Sequence, residues 1–416
     1  MIPVVIYNRK ITSEIKKGSF IQYLENCHDT KTIIYKDNSL DFFSQFKDAV
    51  TWCKNHNHDY FLACSINADF PCCLDFYNLD TIIELGTIQH ADVLVCSAMV
   101  INSPIPTNNP NLYWVDKVCS VDCMIIYKNS FKQILGLPDN VPPKHEITGL
   151  FLDNFFRKQL FSPYMKNKEG NNRFDCSKYI KSVQQQQQLY KKMYHPTNSS
   201  VEGLCLPVYI INLQERPERL EHILAEFKGR SEFDINVVQA CKDECGALGL
   251  WKSIRKVISK AIQKDEDVII ICEDDHKFTP DYSKEFLFQQ IIEGYSLGAD
   301  YLNGGCADFK DAYVITKHLF GMITIRCTQF IIIYKDFFST IMQADYDQNV
   351  LSDIKLSELT ERKMVIYPFV SVQKDFGYSD VTQSFNQHDG YITTLFDLAQ
   401  KRLDKIKILS EIESFS

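Results

Sequence analysis

The chain has 416 residues, 45% of them hydrophobic and 24% charged, and a formal net charge of −8. That length exceeds one ordinary core and predicts two domains of about 200 residues. The acidic balance argues against a general nucleic-acid binder, and no uninterrupted apolar run reaches the about 18 residues of a membrane span.

The amino-terminal MIPVVIYNRK puts its apolar run before its basic residues, the reverse of a signal peptide, and reads as a first strand. A cytoplasmic location is therefore expected, with the 15 cysteines as reduced thiols. The pairs Cys119/Cys123 and Cys241/Cys245 are spaced more widely than is usual for structural zinc. In that compartment the sequon Asn198-Ser199-Ser200 is irrelevant. Residues 166–206 hold KNKEGNN, five consecutive glutamines and HPTNSSVEG. They lack the apolar surface to offset ordering entropy and read as a linker, with a short helix over 179–194.

The flanking halves, 1–165 and 207–390, match in order. VVIYN at 4–8 matches VYIIN at 208–212, and YFLACSINADF at 60–70 matches VIIICEDDHKF at 268–278. ADVL at 91–94 matches ADYL at 299–302, and CMIIYK at 123–128 matches FIIIYK at 330–335. Arg157-Lys158 before Pro163 matches Arg362-Lys363 before Pro368. Cys64 and Tyr127 are 63 residues apart, Cys272 and Tyr334 62 apart. Five ordered matches predict a tandem duplication.

In the second half, strands are expected over 208–213, 268–272, 301–304 and 329–334, and helices over 217–227, 246–263 and near 282–293. Leu250, Ile254, Val257, Ile258, Ala261 and Ile262 fall at helical spacing. This alternation is an α/β class with a mixed, mainly parallel sheet, whose ligands bind at the carboxyl ends of strands. At one such end stand Glu273, Asp274 and Asp275. Three adjacent carboxylates repel one another unless a cation holds them, and hard divalent ions take one or two carboxylates plus phosphate oxygens. The plain alternative is an acidic, solvated turn.

Several motifs of the second half resemble those of the family 25 glycosyltransferases, the lipooligosaccharide and collagen galactosyltransferases. Asn212 lies in INL, followed by Arg216 and Arg219. Gly246-Ala247-Leu248-Gly249 with Ser253 is similar to the family's glycine-rich helix start. Ile271-Cys272-Glu273-Asp274-Asp275 with Phe278 and Pro280 resembles its LEDD motif. Tyr367-Pro368, Gln373 and Ser379-Asp380-Val381 resemble its closing motif. The chain departs from the family at Leu250 and Ile254, where Cys and His are usual. The resemblance implies two tandem GT-A-like domains, the first degenerate. It also implies a UDP-sugar donor carrying galactose or glucose, Mn²⁺ or Mg²⁺, a glycan or protein hydroxyl as acceptor, and inversion.

On that reading Asp275 is the direct metal ligand, Glu273 faces the metal or the ribose, and Asp274 supports them. Gly246 and Asn212 border the donor. Arg216 and Arg219 contact the diphosphate or uracil side, or merely open a solvated helix. Inversion needs a base on the acceptor face. Asp353 is the first candidate, its alternative being a helix N-terminal acid. Asp380 is the second, its alternative a turn residue. Asn303-Gly304-Gly305 is either a donor-sugar approach or a tight turn. His276 reads as a loop side chain and Trp251 as core.

The first half has Ser65, Ile66 and Asn67 where the second has its acids, with Asp69 out of register, and is expected to be catalytically silent or strongly altered, holding acceptor, supporting the second half or mediating dimerisation. The tail 391–416 carries Ile392, Phe396, Ala399, Leu403, Ile406 and Leu409 at helical spacing. It is an amphipathic helix that docks on a domain or a dimer mate, or rests on a membrane surface. The rival readings are an inactive tandem scaffold and a nucleotidyltransferase using the same acidic edge.

Overall fold

The computed structural model describes residues 2–7, 22, 24, 30–34, 42–66, 68, 79–98, 100–109, 112–138, 151–153, 155, 157–161, 181, 183, 185, 188, 190, 201–347, 349–377 and 390–414. They form two compact units, Met1–Val183 with Ile408–Ser416, and Gln184–Lys407. Most of the expected linker lies outside the described residues, as do Asn67, Asp69 and Asp380.

The first unit contains β1 (Ile2–Tyr7), β2 (Thr30–Ile34), β3 (Tyr60–Ser65), β4 (Val93–Ser97), β5 (Val100–Asn102), β6 (Ile105–Pro106), β7 (Leu112–Trp114), β8 (Lys117–Cys119), β9 (Cys123–Tyr127) and β10 (Lys158–Phe161). The second contains β11 (Leu206–Asn212), β12 (Phe233–Gln239), β13 (Val268–Glu273), β14 (His276–Phe278), β15 (Tyr301–Asn303), β16 (Asp308–Phe309), β17 (Ala312–Val314), β18 (Leu319–Met322), β19 (Ile325–Arg326), β20 (Phe330–Tyr334), β21 (Lys363–Ile366) and β22 (Ser371–Gln373).

Each unit is a mixed α/β structure. The main sheets run β2-β1-β3-β9-β4-β10-β7-β6 and β12-β11-β13-β20-β15-β21-β18-β17, the same order strand for strand. In both, three parallel strands come first, the fourth is antiparallel, and the next two are again parallel to each other. Register sets the correspondence by residue: Tyr60 pairs with Tyr127 as Val268 pairs with Tyr334. A second antiparallel pair, β5 with β8, is matched by β16 with β19. Strand β12 was not anticipated. Its Val237 is 49% exposed, and at the sheet edge its side chains lack the burial that makes a strand conspicuous in a sequence.

The apolar runs are strands covered on both faces, which is why they do not alternate. All five residues of β20 are buried, as are Ile269–Cys272 of β13. The helix Gly246–Gln263 buries Trp251, Ile254, Val257, Ile258 and Ala261, while Ile262 is left half exposed. Trp251 is core, stacked on Tyr346 at 5.2 Å between ring centroids. The remaining second-half helices are Pro217–Phe227, Lys284–Ser296, Lys335–Gln343 and Ser352–Glu358.

The corresponding buried details repeat. Tyr127 Oη donates to the Ile83 carbonyl at 3.1 Å, and Tyr334 Oη to that of Ile291 at 2.6 Å. A Cβ on Gly86 would lie 2.1 Å from the Tyr127 hydroxyl, and one on Gly294 would lie 2.9 Å from the Tyr334 hydroxyl and from both Leu302 methyls, so both positions crowd any side chain. Asp92 accepts from the Arg157 amide at 2.9 Å, and Asp300 from the Arg362 guanidinium.

The helix Tyr391–Ser414 buries Phe396, Ala399, Leu403, Ile406 and Leu409. Gln400 accepts from the Phe369 amide at 3.0 Å, and Tyr367 donates to Asp404. Its apolar stripe is therefore packed against protein, while Leu398 and Ile408 of the same helix remain exposed. No helix among the described residues is long and apolar enough to cross a membrane. The described cysteines are free thiols.

Candidate active site

Asn212 ends β11, Glu273 ends the parallel neighbour β13, and Ile211 lies in register with Glu273. The turn after β13 adds Asp274 and Asp275. Four of the expected site residues thus meet at one carboxyl edge. Arg219 joins them from the first turn of Pro217–Phe227, where it is only 7% exposed.

Arg219 has a different task from the one expected. Its Nε lies 2.8 Å from Asp274 Oδ1 and its NH2 2.7 Å from Asp275 Oδ2. Its carbon centre lies 5.0 Å from the Phe376 ring centroid. The guanidinium is committed to the acids and the aromatic face, not to an open edge. Asn212 Nδ2 donates to Asp274 Oδ2 at 2.8 Å and to the Arg216 carbonyl at 3.3 Å, which joins β11 to the helix start. Asp274 is 8% exposed.

One guanidinium does not balance three carboxylates. Burial raises the Glu273 carboxyl above the usual range, and Asp275 adds to the effect; the Thr328 hydrogen bond opposes it. Burial also raises Asp275, against the opposing pull of Arg219. Both shifts mark an edge short of positive charge. Asp275 Oδ1 is buried and has no hydrogen-bond partner. No group of three His, Cys, Asp or Glu among the described residues forms a metal cluster. A Mg²⁺- or Mn²⁺-type site needs only one or two carboxylates when substrate phosphates complete it, so hard oxygen donors with one open position fit that ion.

Sequence reasoning missed the turn Cys327–Gln329. Thr328 Oγ1 donates to Glu273 Oε1 at 2.6 Å, and the Gln329 carbonyl accepts from the Glu273 amide at 3.0 Å. The Cys327 amide donates to Asp353 Oδ2 at 2.9 Å, and its carbonyl accepts from Asn303 Nδ2 at 2.8 Å. Cys327 itself has φ 89, a left-handed conformation unusual for a residue with a side chain. The only sequence signal was the repeat, since Ser120 at the matching place has φ 55.

Asp353 lies in the first turn of Ser352–Glu358, and burial raises its carboxyl against the opposing hydrogen bond from Cys327. Gly246 opens its helix, but the close approach is at Gly249, where a Cβ would lie 2.7 Å from the Cys241 carbonyl oxygen. Arg216 is half-buried at the residue before Pro217.

One local expectation is corrected. His276 is a fully buried residue of β14, not a loop side chain. Its Nδ1 lies 2.7 Å from Ser371 Oγ, and burial holds its pKa well below the usual value, hence neutral. Gly304 and Gly305 serve packing: a Cβ on Gly304 would lie 2.7 Å from Phe330 Cδ1, and one on Gly305 would collide with the Ser371 carbonyl.

No protein-family model matches the sequence, and no curated protein matches it. Among solved structures, the chain is similar to A197 from STIV, with a TM-score of 0.30 and 12% identity over 41% of this chain and 86% of that one. It is similar to apo UDP-glucose pyrophosphorylase, with a TM-score of 0.29 and 11% identity over 54% of this chain and 87% of that one. It is also similar to the mannosyltransferase PcManGT from Pyrobaculum calidifontis in complex with GDP-Man and Mn²⁺, with a TM-score of 0.24 and 8% identity over 46% and 65%. At these TM-scores the likenesses carry no part of the assignment, which rests on the site.

Proposed function

We propose that the second unit is a metal-assisted glycosyltransferase of GT-A type, moving a hexose from a UDP-sugar to a glycan or protein hydroxyl with inversion. The observation that carries it is the gathering of Glu273, Asp274 and Asp275 at the carboxyl edge of β11 and β13, with one buried Asp275 oxygen unpartnered. The resemblance of these residues to the family 25 motifs supports the choice of reaction.

Asp275 and Glu273 would hold Mn²⁺ or Mg²⁺, which when bound neutralises the diphosphate leaving group. Arg219 and Asn212 keep Asp274 and Asp275 in place and offset part of their repulsion. Asp353, its carboxyl raised by burial, takes the proton of the acceptor hydroxyl. The hydroxyl oxygen bonds to the anomeric carbon as the bond from that carbon to the diphosphate oxygen breaks, and UDP leaves with the electron pair. The first unit takes no part in this chemistry.

Asp275→Asn, which keeps the side chain's shape, is expected to lower Mn²⁺-dependent UDP release from UDP-sugars by about 100-fold or more, with the fold intact by circular dichroism. Undiminished release would sink the assignment. Pyrophosphate release by the unaltered protein would mean nucleotidyl transfer instead.

A further inference from the structure

The chain contains its own control for the acidic edge. Register aligns Ser65 with Glu273 and Met124 with Ile331, which places Ser120, Val121 and Asp122 at Cys327, Thr328 and Gln329. Two backbone features of this turn recur in both units. Ser120 and Cys327 both have positive φ, and the Ser65 amide donates to the Asp122 carbonyl at 2.7 Å as the Glu273 amide does to that of Gln329 at 3.0 Å. The turn is therefore part of the scaffold and persists without acids. The hydroxyl does not persist: Val121, fully buried, stands where Thr328 stands. A hydroxyl occurs at this position in the unit that has a carboxylate to receive it.

We propose that Thr328 is a positioning residue that fixes the orientation of Glu273, and that the Cys327–Gln329 turn holds Glu273 and Asp353 at one set spacing. The geometry is direct. Thr328 Oγ1 occupies Glu273 Oε1 at 2.6 Å, which would leave the other carboxylate oxygen for a ligand. One residue earlier, the Cys327 amide binds Asp353 at 2.9 Å. The strained φ of Cys327 aims its amide and its carbonyl at different partners, Asp353 and Asn303. Cys327 feels both acids: burial first, then Asp353 and more weakly Glu273, push its thiol well above the usual value.

The inference rests on reading Glu273 as a metal-side acid, and its test separates the two. Mn²⁺ binding to the full chain in the presence of UDP, against a UDP blank, is followed by paramagnetic resonance of the free ion, alongside kcat, KM and the melting midpoint without metal. Thr328→Val installs the first unit's residue at nearly constant volume. It is expected to weaken Mn²⁺ binding by about tenfold and to lower kcat more than KM for the donor rises. Thr328→Ser restores the hydroxyl and is expected to stay within about threefold of the unaltered protein. Equal weakening by Val and Ser, or no weakening by either, overturns the positioning role while leaving the site assignment standing. Absence of Mn²⁺ binding by the unaltered chain overturns both.

Discussion

The two units share a scaffold position by position and part company at one edge. The tyrosines at 127 and 334, the aspartates at 92 and 300, the lysines at 158 and 363 and the left-handed residues at 120 and 327 occupy matching places. At the carboxyl edge the second unit has Glu273, Asp274, His276, Asn303 and Thr328, whereas the first has Ser65, Ile66, Ala68, Val95 and Val121. Polar groups at such an edge are costly to bury and remain where something needs them. Where Ser65 replaces Glu273, Val121 replaces the Thr328 hydroxyl that Glu273 receives. The comparison thus separates what the fold requires from what the site requires.

Removing the charge clamp should have the largest effect. Arg219→Met leaves Asp274 and Asp275 without their counter-ion and is expected to cost about 4 kcal/mol in urea unfolding near neutral pH. The sign with pH follows from the shifts. The Glu273 and Asp275 carboxyls are raised in the folded chain, so their contribution is present at low pH and is lost as pH rises through their folded values. The variant's deficit should therefore shrink near about pH 5. A pH-independent deficit would show that Arg219 matters as packing alone.

Putting an acid into the silent unit is the converse. Ser65 is 1% exposed and Val121 offers no hydroxyl, so Ser65→Glu should destabilise the chain by about 3 kcal/mol without creating Mn²⁺ affinity. A stable variant that binds Mn²⁺ would erase the distinction between the units. The reverse exchange, Glu273→Ser, should leave the melting midpoint nearly unchanged and lower UDP release by about 100-fold, close to 2.7 kcal/mol in the barrier.

The smallest effect concerns the paired lysines. Lys158 is buried with Asp153 at 3.6 Å, whereas Lys363 donates to the Thr360 carbonyl. Burial lowers Lys363 from 10.5 to about 8. Between those values the unfolded chain holds a proton that the folded chain does not, so stability should rise with pH across that window. Lys363→Met should remove that rise and gain about 1 kcal/mol at pH 7, with no matching gain from Lys158→Met. Equal responses would place the two lysines in equivalent surroundings.

Much of this organisation is written locally along the chain. Strands β13 and β20 stand out because burial on both faces demands unbroken apolar runs, and the duplication stands out because the same sheet places the same demands twice. Edge strand β12 and the three-residue pieces β14 and β22 do not, since little of their burial is periodic. The acids at 273–275 are conspicuous as a cluster of like charges after an apolar strand. Arg219 was visible as a residue, but its commitment to those acids depends on Pro217–Phe227 packing against β14.

Order along the chain was enough to establish the α/β class, the repeat, and which half holds the carboxylates, because each depends on residue type and short-range spacing. Contact across 55 residues from Thr328 to Glu273, and across 26 from Asp353 to Cys327, is of another kind. Hydrogen bonds of that range are set by strand register and by a single left-handed residue, and neither leaves a local pattern. Folding therefore decided which oxygen of Glu273 is engaged, where Arg219 spends its charge, and that His276 is core.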